Sequence, residues 1–192
     1  MYIDNFYIAL LHYPVYNRKG DVVTTAVANV DIHDISRAAK TFGARHFYIV
    51  TPVLEQHRLV EKILEHWLRG FGADFNPSRK AAFQIIRLKK NLEEVQDDIA
   101  SLSGARPKVI ATGANLPQDE RLRSPGSLKR EILDSAGSFL FLFGTGWGLA
   151  DEVIGMADYL LTPIRGPFEY NHLSVRSAVS IILDRLWREN FE

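Results

Sequence analysis

The stretch FLFLFGTGWGLADEV runs from Phe139 to Val153. Five apolar residues lead into three glycines spaced two apart, Gly144, Gly146 and Gly148, and an acidic segment follows. A short apolar run that ends in glycines reads as a buried strand and then a turn. The segment ADEVIGMA (150–157) reads as a short helix. In α/β sheets, ligands bind beyond the carboxyl ends of the strands. Glycine also lets backbone N–H groups come close to a ligand. The loop therefore suits a nucleoside or a phosphate. A tight strand-to-helix turn that needs glycine only for its geometry would look the same.

The alternation continues outward in both directions. FYIALL (6–11), HFYIVTP (46–52), AFQIIRLKK (82–90), PKVIATGA (107–114) and YLLTPI (159–164) read as strands. Between them lie helical patterns. IHDISRAAKTFGA (32–44) places Ile32, Ile35, Ala38, Ala39 and Phe42 on one face and stops at Gly43. EQHRLVEKILEHWLRGFG (55–72) places Leu59, Ile63, Leu64, Trp67 and Leu68 inward. NLEEVQDDIASLSG (91–104), SPGSLKREILDSAG (124–137) and SVRSAVSIILDRLWREN (174–190) complete the set. The last carries a stripe of Val175, Val179, Ile182 and Leu186. HYPVYNRKGD (12–21) reads as a polar turn, and ANLPQDERLRSPGS (114–127) as the longest irregular loop. Strands alternating with helices predict a parallel sheet covered on both faces, as one domain over residues 1–192.

Composition narrows the function classes. Lys plus Arg and Asp plus Glu both number 23, so the total charge draws the chain toward neither nucleic acid nor membrane. There is no cysteine, which excludes disulfides, thiolate metal sites and cysteine nucleophiles. No metal site is expected. The N-terminal apolar run is too short for a signal peptide or a membrane span, so a cytoplasmic protein is expected.

Two familiar glycine loops fit poorly. A nicotinamide fingerprint normally occupies the first βα turn and has its third glycine three residues after the second. Here the order is Gly-Thr-Gly-Trp-Gly, although Arg165 leaves room for an NADP-dependent oxidoreductase. A P-loop needs a Lys-Ser/Thr pair after the glycines, and none follows. Two further strand-end loops fall at the same sheet edge: IATGAN (110–115) and TPIRGPFEYNHLSVRSA (162–178), in which Ser174 suits a helix N-cap.

These three loops carry a resemblance. DIHDISRAAKTFGARHFYIVTP (31–52) is similar to the first motif of the SPOUT RNA methyltransferases, with Arg37 and Phe42-Gly43 at matching offsets. Asp31 stands where that family usually has Asn, and His33 where it has Gly. FGTGWGL (143–149) resembles the second motif, without its Glu and one residue shorter. PIRG (163–166) and YNHLSV (170–175) resemble the third, with Ser174 matching and His172 in place of Asn. The chain is also similar to a stand-alone branch whose relatives are fused to tRNA guanine-N1 methyltransferases.

The resemblance implies an α/β parallel-sheet sandwich of three layers with a C-terminal trefoil knot. It implies S-adenosylmethionine (SAM) as cofactor, an RNA substrate (tRNA or rRNA) and a homodimer with no membrane association. It assigns cofactor binding to Thr112, Gly113, Ala114, Phe143, Gly144, Thr145, Gly146, Trp147, Gly148, Leu161, Pro163, Ile164, Gly166, His172, Leu173, Ser174 and Val175. Arg37, Asp31 and His33 become the catalytic candidates. Arg37 and Asp31 have plainer readings, a solvated helix arginine and an N-capping aspartate, and His172 has one as a packing or capping histidine. Trp147 could meet cofactor, substrate or core. Asn17, Arg18 and Lys19, with the basic stretches RLKK (87–90) and RLRSPGSLKR (121–130), are either RNA contacts or solvated surface. A knot domain that binds the cofactor without catalysis is the remaining alternative.

Overall fold

The computed structural model describes residues 5–187. Its elements in chain order are β1 (Phe6–Leu11), β2 (Val15–Tyr16), β3 (Val22–Val23), α1 (Asn29–Thr41), β4 (Phe47–Val50) and α2 (Leu54–Leu68). Then come α3 (Phe71–Phe75), α4 (Pro77–Phe83), β5 (Ile86–Lys89), α5 (Leu92–Ser103), β6 (Lys108–Ala111) and β7 (Leu122–Arg123). The chain continues through α6 (Pro125–Asp134), β8 (Phe139–Gly144), α7 (Asp151–Gly155), β9 (Tyr159–Leu161) and α8 (Val175–Trp187). Arg188 to Asn190, the end of the last helical pattern, lie outside the described residues.

Seven strands form one sheet in the order β5-β4-β1-β8-β6-β9-β7, and every pairing in it is parallel. Because strand side chains alternate, β1 and β8 feed two cores. Phe6, Ile8, Leu10, Phe139, Phe141 and Phe143 meet Ile32, Ile35, Leu128, Val179 and Leu183 on one face. Tyr7, Ala9, Leu11, Leu140 and Leu142 meet Val95, Ile99 and Val153 on the other. Helices α1, α2, α4, α6 and α8 thus cover the first face, and α5 and α7 the second. Such double coverage explains why the central strands are continuously apolar.

The C-terminal half is threaded. Lys108 and Phe139 face each other on neighbouring strands, closing a circuit in the chain between them. From β6 that circuit crosses the second face, with Leu116 in its core. It then forms β7, crosses the first face as α6, with Leu128 and Ile132 in that core, and returns as β8. Strand β9 sits between β6 and β7, inside the circuit. Its edges are held on the β7 side by Leu160 N–H to the Arg121 carbonyl (3.0 Å) and Thr162 N–H to the Arg123 carbonyl (2.9 Å). The chain then emerges, and α8 packs on α1 and α6. A strand passed through an earlier loop is the crossing that makes a trefoil knot, an exception to ordinary connections.

Local departures from the sequence reading are few. The polar turn at 12–21 contains β2, which pairs antiparallel with β3 just beyond it. The irregular loop at 114–127 contains β7, and α4 takes Ala82 and Phe83 from the expected third strand. On α2 it is Val60 that is buried, whereas Leu59 is exposed. Helix α1 begins at Asn29 with Ala28 at the N-cap, so Asp31 sits inside the first turn and does not cap.

Candidate functional site

The glycine loop leaves β8 between two supports. Thr145 donates from its backbone N–H (3.2 Å) and its hydroxyl (3.0 Å) to the Leu11 carbonyl at the end of β1. The β2–β3 hairpin grips the other side: Trp147 N–H donates to the Tyr16 carbonyl (2.8 Å), and Tyr16 N–H to the Gly148 carbonyl (2.9 Å). Gly146 (φ +60°) and Gly148 (φ +108°) adopt the backbone region that L side chains avoid. A Cβ on Gly144 would lie 2.7 Å from the Leu149 nitrogen, so the turn also closes too tightly for any side chain there.

Beneath the loop, His12 is fully buried, and its Nδ1 lies 3.1 Å from the Thr25 hydroxyl. Thr25 in turn bonds the Thr145 hydroxyl. His12 Nε2 has no partner among the described residues. Burial pushes its pKa down from 6.5 to about 4. The neutral ring is thus the native form, and charging it opposes folding. Stability from this group is complete above pH 6.5 and is lost as pH falls toward 4, by about 3 kcal/mol in total. Burial lowers His33 and His46 as well, which adds slope of the same sign. Denaturant titrations across that window are expected to show the loss, and His12→Gln should remove its share. An identical pH dependence in the variant would refute this account of His12.

The three loops meet around one cleft of about 1000 Å³. Of the expected cofactor residues, Thr112, Gly113, Ala114, Phe143 to Gly148, Leu161, Pro163, Ile164 and His172 to Val175 line it. Gly166 does not. Thr162, Tyr170 and Asn171 of the expected third loop join them, and so do Arg18, Ala178 and Ile182, which were unforeseen as cleft residues. Ala178 and Ile182 had a signal: they follow Ser174 at helical spacing, so one face of α8 carries all three. Ser174 caps that helix, its hydroxyl accepting from Ser177 N–H at 3.3 Å.

The catalytic candidates separate. Asp31 lines the cleft. Its carboxylate is held 3.3 Å from Arg176 Nε, and Arg176 also reaches Asp34 at 3.7 Å. Burial raises the Asp31 pKa above the usual carboxylate range; Arg176 opposes the rise and Asp34 adds to it. His33 turns the other way, onto the rings of Trp67 and Phe83 and to within 3.2 Å of Arg79 Nη1. Burial, then Arg79, hold its pKa down. Arg37 lines a separate hollow of about 290 Å³ with Lys40, Asn76 and Arg79. Neither His33 nor Arg37 therefore lines the cleft, because α1 offers it only the face that carries Asp31.

Comparisons with known proteins bear on this arrangement. A family profile described as SAM-dependent RNA methyltransferase matches residues 5–188. A tRNA (guanine-N(1)-)-methyltransferase of Oleidesulfovibrio alaskensis is 43% identical over 182 residues, covering 95% of this chain and 42% of that protein. The chain thus spans less than half of that relative. An uncharacterized protein of Aquifex aeolicus is 38% identical over 187 residues, covering 97% of this chain and 90% of that protein. Among solved structures, TrmJ from Z. mobilis superposes with a TM-score of 0.61 at 18% identity, covering 96% of this chain and 68% of that one. This likeness concerns the fold. The nicotinamide alternative is left without support, and the chain belongs to the SAM-dependent RNA methyltransferase family.

Proposed function

We propose that the cleft binds SAM and presents it to RNA, with tRNA as the substrate class. The observation that carries the reading is the convergence of three strand-end loops on one cavity. Its residues suit the cofactor. Phe143, Leu161, Ile164 and Leu173 offer an apolar slot for an adenine ring, and the Gly144–Gly148 backbone lines the same cavity. When bound, the cofactor supplies an electrophilic methyl group. The chain's own part is to hold both reactants in line, exclude water and take up a proton.

Asp31 is the acidic group in the cleft wall, and its raised pKa makes it a better base than a free carboxylate. We assign it the proton released by the RNA nitrogen or hydroxyl that becomes methylated. Arg176 holds that carboxylate in place and joins α8 to α1. The substrate class draws on the tRNA relatives, of which this chain matches only a part. The homodimer is an expectation of the resemblance, and the cytoplasmic setting one of the N-terminal sequence.

The test has two stages. Calorimetry is expected to show saturable binding of SAM and of its demethylated product. Labelled SAM is then expected to mark total RNA from a strain lacking the gene, with the label in the tRNA fraction. No binding would overturn the site. Binding without transfer would favour the non-catalytic knot domain, and label in rRNA would replace the substrate.

A further inference from the structure

Trp147 raises a separate question. It is 62% exposed, although it stands between two buried stretches. Among the described residues it makes no ring contact. The other two tryptophans are engaged: Trp67 lies against His33, Phe83 and Arg79, and Trp187 lies 4.6 Å from Phe6. A lone exposed ring is ordinary on a protein surface, but the main chain beneath this one is fixed at the cleft. Its backbone N–H is bonded to the Tyr16 carbonyl at 2.8 Å, and the positive-φ glycines on both sides set the direction of the loop. The ring is therefore held out at the cleft wall by a rigid main chain.

Two of its neighbours on the rim are a second aromatic ring and a cation. Tyr170, 77% exposed, lines the same cleft from the third loop. Arg18 lines it from the tip of the β2–β3 hairpin. That tip is fixed too: the Asn17 side chain accepts from Lys19 N–H (2.8 Å) and Asp21 N–H (3.0 Å). Its Nδ2 also ties down Asp21, leaving Arg18 free to face the cleft. Two flat rings and a guanidinium around one opening match an unstacked nucleotide, with bases on the rings and phosphate at the cation.

We infer that Trp147 is a substrate-positioning residue that stacks on a nucleobase of single-stranded RNA, with Arg18 holding an adjacent phosphate. The inference rests on the reading that the cleft takes RNA. Only the aromatic face is required, so the contact selects unpaired nucleotides rather than a sequence.

Tryptophan fluorescence, titrated with oligoadenylate, oligouridylate and unfractionated tRNA, tests it. Wild-type emission is expected to be quenched on binding, and Trp147→Phe should abolish the quench while keeping RNA affinity within about threefold. Trp147→Ala should weaken RNA binding by about tenfold or more. SAM affinity measured in parallel by calorimetry separates a substrate contact from a cofactor contact: a loss of SAM affinity as large as the loss of RNA affinity would overturn the inference. Arg18→Ala should lower RNA affinity and flatten its salt dependence. Wild-type protein that binds no RNA would overturn both this inference and the functional reading beneath it. Wild-type binding with Trp147→Ala unchanged would overturn the inference alone. So would a loss of SAM affinity or of self-association in Trp147→Ala with RNA affinity intact.

Discussion

Asp31→Asn is expected to slow methyl transfer by about 10²- to 10⁴-fold, with SAM affinity and folding retained. Asn keeps the shape and one acceptor oxygen but takes no proton at neutral pH. The wild-type rate should fall on the acid side, because a protonated Asp31 cannot act as base. That limb should sit above the ordinary carboxylate value of 3.8, since burial raises the group. Removing Arg176 takes away the charge that opposes the rise, so Arg176→Ala should move the limb to still higher pH. Single-turnover rates across pH check all three expectations. An Asn variant with the wild-type rate and the same limb would remove Asp31 from the chemistry.

Gly146→Val is expected to lower SAM affinity by about a hundredfold or more and to lower the melting temperature even without ligand. From sequence, a branched side chain at this position would simply occupy the ligand's space. The structure relocates the conflict. The new Cβ would meet the Tyr16 carbonyl oxygen at 2.7 Å, at a φ of +60°. Left-handed backbone costs a β-branched residue about 1–3 kcal/mol. Unseating the loop also breaks its hydrogen bonds to Tyr16, worth about 1 kcal/mol each. Gly155→Ala is a fitting control, because nothing lies within 4 Å of its Cβ position. Calorimetry and thermal unfolding read the two effects. A stable variant with unchanged affinity would refute the placement of the loop.

Much of the architecture could be read in advance because the relevant signals are local. FYIALL and FLFLF are too apolar for any site but a doubly covered strand, and Ile32, Ile35 and Ala39 fall on one helical stripe. The glycine loop was readable for the same reason: two of its three glycines take the positive φ that their type permits. What escaped is non-local. Strands β2 and β3 have two residues each, and their place depends on a loop some 130 positions away, where Tyr16 meets Trp147. The position of β9 between β6 and β7 depends on threading, which no periodicity encodes. His33 shows the limit of motif offsets. Its motif position points to a site, but two helix positions from Asp31 it faces away from the cleft, where the Trp67 and Phe83 rings brought by α2 and α4 claim its side chain. Leu59 and Val60 point about 100° apart on α2, and the way the helix docks on the sheet decides which one is buried.

The passage of β9 through the circuit between Lys108 and Phe139 orders events during synthesis. A ribosome delivers the chain from its N-terminus. The circuit can therefore exist before its thread, yet the cleft cannot. Leu161 ends the crossing strand, Ile164, Ser174, Ala178 and Ile182 follow it, and together they furnish one side of the cavity. A nascent chain halted before them carries both glycine-bearing loops 112–114 and 144–148 but has no opposite wall. Cofactor capacity thus waits on the segment after the crossing, so a fragment released before that point has no enclosed site in which to hold SAM.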